Sequence, residues 1–119
     1  DGTPRLLVLG LTYKPNTTDV RSPVLKNALE LLQETADVVG VDPHVPDEKV
    51  RRVFEVPVQD ELAVEGFDGL LLATPHDRFT TLDLAALGDN MNELPVLVDV
   101  TGTYDDDEAT EHGFIYRGL

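Results

Sequence analysis

The chain carries four short, continuously apolar runs, and the polar stretches between them repeat their apolar residues at helical spacing. Runs of this kind, without alternation, are what a strand buried on both faces looks like. They predict strands over Arg5–Leu9, Asp37–Val41, Gly69–Ala73 and Pro95–Asp99, with a short edge strand within 112–119. Between the first two, Val24, Leu25, Ala28, Leu29, Leu31 and Leu32 form a stripe that predicts a helix from Pro23 to Leu32. Asp42-Pro43 stops the second strand. Beyond it the pattern predicts one or two helical turns over 47–52, a weak strand over Val53–Val56 and a short helix over Gln59–Glu65. His76 to Leu87 reads as a turn followed by a helix. Asp105–Glu108 reads as an acidic turn and the one place where local disorder is expected. Strands alternating with helices at this rhythm mean a doubly wound α/β fold with a mainly parallel sheet, in one domain spanning 1–119.

The stretch Gly10-Leu11-Thr12-Tyr13-Lys14-Pro15-Asn16-Thr17-Thr18-Asp19-Val20-Arg21-Ser22-Pro23 leaves the first strand and opens the first helix. In an open α/β sheet, ligands collect at the carboxyl ends of the strands. Ser22 and Pro23 suit the N-cap and first helical position. The helix start offers unpaired N–H groups and partial positive charge, so an anion is the expected guest. The stretch lacks both G-x-G-x-x-G and a Walker lysine, so it predicts phosphate binding of another kind.

Charge narrows the range of partners. Twenty-three acidic residues face nine basic ones, for a formal net charge of −14. That balance excludes nucleic acid and anionic membrane as partners. No apolar run approaches the length of a membrane span. We read the excess acid as the mark of a halophilic cytoplasm, where salt screens self-repulsion. The absence of Cys excludes disulfides, thiolate metal sites and a cysteine nucleophile within the chain. His44, His76 and His112 lack ligand spacing, so no metal site is expected. The start on Asp1 suggests a piece of a longer protein.

The run from Gly10 to Pro23 resembles the signature that opens the C-terminal domain of the UDP-glucose/GDP-mannose dehydrogenases. These enzymes use NAD to oxidise a sugar C6 alcohol to a carboxylate. Val41-Asp42-Pro43, Thr74-Pro75-His76-Asp77-Arg78-Phe79 and Gly113-Phe114-Ile115-Tyr116-Arg117-Gly118 extend the resemblance, in order, over essentially the whole chain. It implies a three-layer, Rossmann-like domain that binds the nucleotide sugar. The NAD-binding domain, a central helical domain and the catalytic Cys would lie upstream, so no catalytic residue is expected here. By the family pattern Tyr13 and Lys14 contact the UDP-sugar, and Arg21 reaches the NAD of the neighbouring domain. Thr101 stands where the family places a substrate-contacting Arg. Losing that cation removes a charge-assisted contact of roughly 1.5–3 kcal/mol, which implies altered recognition or lower activity. Arg21 is followed directly by Ser22, one residue short of the usual spacing, which re-aims it. The pattern leans towards UDP-glucose or UDP-N-acetylmannosamine, and the full protein is expected to be a cytoplasmic homodimer.

The remaining polar residues have plainer readings. Asp19 suits a turn-former. Asp42 sits where NAD domains place a ribose-binding acid, but as part of Asp-Pro it reads better as a strand stop. His76 reads as part of a capping turn with Asp77, and Phe114 and Tyr116 as core or interface residues. A different class of function stays open at this stage: a free-standing α/β module that binds a phosphorylated ligand for regulation, without catalysis.

Overall fold

The computed structural model describes residues 3–12, 23–59, 62–100 and 102–118. Five strands, β1 (Arg5–Leu9), β2 (Asp37–Val41), β3 (Gly69–Leu72), β4 (Val96–Asp99) and β5 (Ile115–Gly118), form one sheet in the order β2-β1-β3-β4-β5. Every pairing is parallel. Among the described residues four helices accompany them: α1 (Pro23–Leu32), α2 (Asp47–Phe54), α3 (Leu84–Asn90) and α4 (Asp106–Glu111).

Side chains alternate across the pleat, so each apolar run feeds two cores. Leu7, Leu9, Leu70, Leu72 and Leu97 point to one face, where Phe79, Leu84, Ala109 and Phe114 cover them. Val8, Val38 and Leu71 point to the other, under Leu29 of α1 and Val50 and Phe54 of α2. Fully burying one such side chain contributes about 1.5–3 kcal/mol. Helices on both faces of a parallel sheet give the three-layer, doubly wound architecture that the alternation predicts.

The structure departs from the sequence expectations in three segments. No helix forms over the described part of 59–65; Leu62, Ala63 and Val64 run as irregular chain, with Val64 in the core. Gln59 is held extended there, because its N–H donates to the carbonyl of Gly40. The strand expected over Val53–Val56 is instead the end of α2, which continues to Phe54 and stops at Glu55 in a left-handed conformation with φ 56°. That cap lets Val50, Phe54 and Val56 all reach the same core. The extended pairing falls a few residues later, where Val58 bridges to Gly40 beside the edge strand. Finally, the acidic turn is the helix α4. Asp105 caps it by accepting from the N–H of Asp107, and Asp106, Asp107 and Glu108 occupy its first turn, where the helix dipole favours negative charge.

Candidate functional site

In the order β2-β1-β3-β4-β5, α1 covers one face of the sheet and the elements after β3 cover the other, so β1 and β3 mark the switch point, where ligands collect at the carboxyl ends of the strands in folds of this kind. The buried polar and charged residues gather at this end of the sheet: Thr12 after β1, Asp42 after β2, Thr74 and His76 after β3, and Asp99 closing β4.

Parallel register explains why these residues meet. Leu9 is level with Val41 on one side and Leu72 on the other, so the residues just past each strand become neighbours. Gly10 donates its N–H to the carbonyl of Val41 at 3.0 Å. Leu11 donates to Asp42 Oδ2 at 2.7 Å, and Thr12 donates to Thr74 Oγ1 at 3.3 Å. Thr74 Oγ1 in turn donates to the carbonyl of Thr12 at 2.8 Å. His76, with no exposed surface, places Nε2 3.0 Å from Asp42 Oδ2 and 3.4 Å from Thr12 Oγ1. A carboxylate only accepts, so Nε2 carries the proton in this pair. Asp42 Oδ1 accepts from the His44 N–H, and the His44 ring stands 4.5 Å from that of His76.

The capping reading of His76 is corrected, while the strand stop at Asp42 holds, since β2 ends at Val41. His76 precedes the single 3-10 turn Asp77–Phe79, but its side chain makes no capping bond. It turns inward to Asp42 instead. Both oxygens of Asp42 are engaged with the chain's own donors, so this carboxylate does not fit the ribose of a dinucleotide.

A second buried carboxylate holds the far side of the same end. Asp99, with no exposed surface, accepts from the N–H groups of Thr103 and Tyr104 and from the Tyr116 hydroxyl. The Tyr104 hydroxyl donates to the carbonyl of Phe79 and accepts from the N–H of Leu82, tying this corner to the segment after β3. Burial, the bond to Asp99 and the charge of Asp99 push the Tyr116 phenol up to about 12. Burial also raises Tyr104, with the Glu108 and Asp99 charges adding to it and the Leu82 N–H opposing.

Tyr13, Lys14, Arg21 and Thr101 lie outside the described residues, as does the Ser22 cap. In the sequence the described residues Thr12 and Pro23 flank the first group, and Val100 and Gly102 flank Thr101. The first turn of α1 carries no acidic residue, whereas α2 and α4 open on Asp47, Glu48 and Asp106, Asp107, Glu108. The start of α1 thus lacks the first-turn neutralisation that those two helices have. Arg78, on the exposed rim after β3, lines a small cavity of about 40 Å³ with Val41, Pro43, Leu62 and Phe79. Sequence reasoning passed over Asp42, His76 and Arg78 as site-building residues. Their signal is positional, since each follows the end of an apolar strand, but it acquires meaning only once strand order is known. Among the described residues, no group of acidic and histidine side chains could hold a metal ion. None of their helices is long and apolar enough to cross a membrane.

The fold defines the class: a Rossmann-like α/β domain built on a five-stranded parallel sheet. Residues 7–106 match the UDP binding domain of the UDP-glucose/GDP-mannose dehydrogenase family, and the chain belongs to that family. It is 37% identical over 120 residues to a UDP-glucose 6-dehydrogenase of Rhizobium meliloti, covering 97% of this chain and 27% of that protein. It is 38% identical over 82 residues to a UDP-glucose 6-dehydrogenase of Haloferax volcanii, covering 66% of this chain and 19% of that protein. The solved UDP-D-ManNAc dehydrogenase of Pyrococcus horikoshii superposes with a TM-score of 0.78 at 27% identity, over 98% of this chain and 25% of that one. The chain thus spans about a quarter of these relatives or less.

Proposed function

We propose that this chain, as one domain spanning 1–119, is the UDP-sugar-binding part of an NAD-dependent nucleotide-sugar 6-dehydrogenase. The observation that carries the reading is the run Gly10–Pro23, which in sequence follows β1 in a chain whose residues 7–106 match this family. Lys14 meets the diphosphate as a mobile point charge, Tyr13 contacts the same UDP-sugar, and Thr101 stands in the sequence where the family has a substrate-contacting Arg. Arg21 reaches toward the dinucleotide of a neighbouring domain, which together with a central helical domain supplies NAD and the catalytic Cys. The substrate is UDP-glucose or UDP-N-acetylmannosamine, and the whole protein works as a cytoplasmic homodimer. Family membership leaves nothing that favours a free-standing regulatory module.

Titrating UDP and then each UDP-sugar into the chain in molar KCl, followed by backbone amide shifts, tests this reading. Shifts are expected at Tyr13, Lys14 and the start of α1. Lys14→Ala is expected to weaken binding by about 10- to 100-fold, the loss of one charge-assisted contact. Silence of the loop at millimolar UDP, with the response on another surface, overturns the assignment.

We also propose that the protein works in high salt. The net charge of −14 and the Haloferax relative support this reading. Thermal melts are expected to rise from low to molar KCl as screening relieves repulsion among the acidic side chains. Equal stability in both would sink the idea.

A further inference from the structure

We propose that Asp42, His76 and Thr74 form a buried clamp that aims the ligand loop, so that UDP affinity depends on residues beneath the loop. The proposal rests on the reading of residues 10–23 as the UDP loop and adds positioning residues to it.

The pairing of β1 with its neighbours ends at Leu9, yet the next three amides are each fixed to a different partner. Gly10 is tied to the backbone of β2, Leu11 to the Asp42 carboxylate and Thr12 to the Thr74 hydroxyl. The Thr12 carbonyl is held as well, by Thr74 Oγ1 at 2.8 Å, and the Thr12 hydroxyl lies 3.4 Å from His76 Nε2, where it shares at most the proton directed at Asp42. Thr12 is thereby gripped through its N–H and its carbonyl, two residues before Lys14.

Ending a strand does not require this much. Backbone and solvent satisfy most loop starts, whereas a buried carboxylate loses hydration that must be replaced by fixed donors. A fully satisfied buried network specifies one geometry. Binding of a diphosphate by a short loop is sensitive to such geometry, because displacements of about 1 Å weaken contacts that depend on alignment. His76 is the joint of the clamp, since the same nitrogen faces both Asp42 and Thr12.

His76→Leu keeps the volume and the burial but removes the joint. His76→Gln restores a donor near the position of Nε2. Val50→Ala, in the core beneath α2, serves as a control for destabilisation alone. UDP affinity is measured by calorimetry on the 119-residue chain under conditions where circular dichroism shows each variant folded. His76→Leu is expected to bind UDP about tenfold more weakly, with His76→Gln within about threefold of the parent. Val50→Ala is expected to bind unchanged. Parental affinity in folded His76→Leu overturns the clamp, and so does an equal loss in Val50→Ala. If His76→Leu does not fold, Thr74→Val, which removes both bonds to the Thr12 backbone, is judged by the same criteria. If the parent chain itself does not bind UDP, the functional reading fails separately. The clamp then stands or falls on ligand-free amide shifts. Changes in His76→Leu that run from Leu11 through residues 13–22 support it, and changes confined to the packing neighbours of residue 76 overturn it.

Discussion

Gly10→Ala is expected to lower stability by about 2–5 kcal/mol, although it adds a single methyl group. Gly10 has φ +89°, a region that L side chains rarely adopt. A Cβ at this position would lie 2.5 Å from the Thr74 Cβ, 2.7 Å from its carbonyl oxygen and 2.9 Å from its nitrogen. Two of these three atoms are backbone, so no rotamer change relieves the contact. Either the strand end or Thr74 must move, and Thr74 is the residue that holds Thr12. The cost combines the backbone strain of about 1–2 kcal/mol with the overpacking of about 1–3 kcal/mol. Urea denaturation at constant slope measures it. A loss below about 0.5 kcal/mol, the range of an ordinary surface change, would contradict the close approach of β1 and the segment after β3. In a Gly10→Ala chain that still folds, UDP binding should fall as well, because the loop starts from a displaced anchor.

The glycine that opens the long motif is thus explained by packing, and the same contrast runs through the rest of the chain. The strands were legible because a parallel sheet buried on both faces leaves no polar alternation to confuse: Leu6-Leu7-Val8-Leu9 and Gly69-Leu70-Leu71-Leu72 allow little else. α1 was legible to its ends because Pro23 and the apolar stripe agree. The segment 53–65 was not, since its apolar residues answer to tertiary demands. Glu55 takes a left-handed cap so that Phe54 and Val56 can share one core, and no local pattern announces it. α4 was hidden by its own charge: acids that read as a solvated turn are stabilising at a helix start. The buried pair Asp42–His76 was missed for a deeper reason. The two residues are 34 positions apart, and they meet only because β2 and β3 flank β1 in the sheet, which brings the segments just past those two strands together. The loop residues Tyr13, Lys14, Arg21 and Thr101 were chosen from the family motif, which carries information that composition and periodicity lack.

Asp99→Ala is expected to cost about 2–4 kcal/mol, because it strands one buried and two part-buried donors at once. The N–H groups of Thr103 and Tyr104 lose their acceptor at 3.1 and 2.7 Å, and the Tyr116 hydroxyl loses one at 2.9 Å. Tyr116 retains the carbonyl of Tyr104 at 2.8 Å, so the hydroxyl is the least affected of the three. The corner matters to the site because Asp99 anchors the connection that carries Thr101. It matters to pH dependence through Tyr116. In the folded chain this phenol is pushed up from 10.0 to about 12, first by burial, then by the bond to Asp99 and the acidic charges around it. The folded state therefore keeps a proton that the unfolded chain has already released. Its contribution to stability is complete below pH 10 and is lost as pH rises through about 12. Tyr104, raised in the same direction, adds to the alkaline fall. Thermal melts across this window should show parental stability dropping steeply. Tyr116→Phe should flatten the fall without abolishing it, since Tyr104 remains. Asp99→Ala should flatten it less, because burial, the largest cause of the Tyr116 shift, persists while the bond and charge disappear. A Tyr116→Phe chain with the parental alkaline profile would show that this tyrosine does not titrate against Asp99.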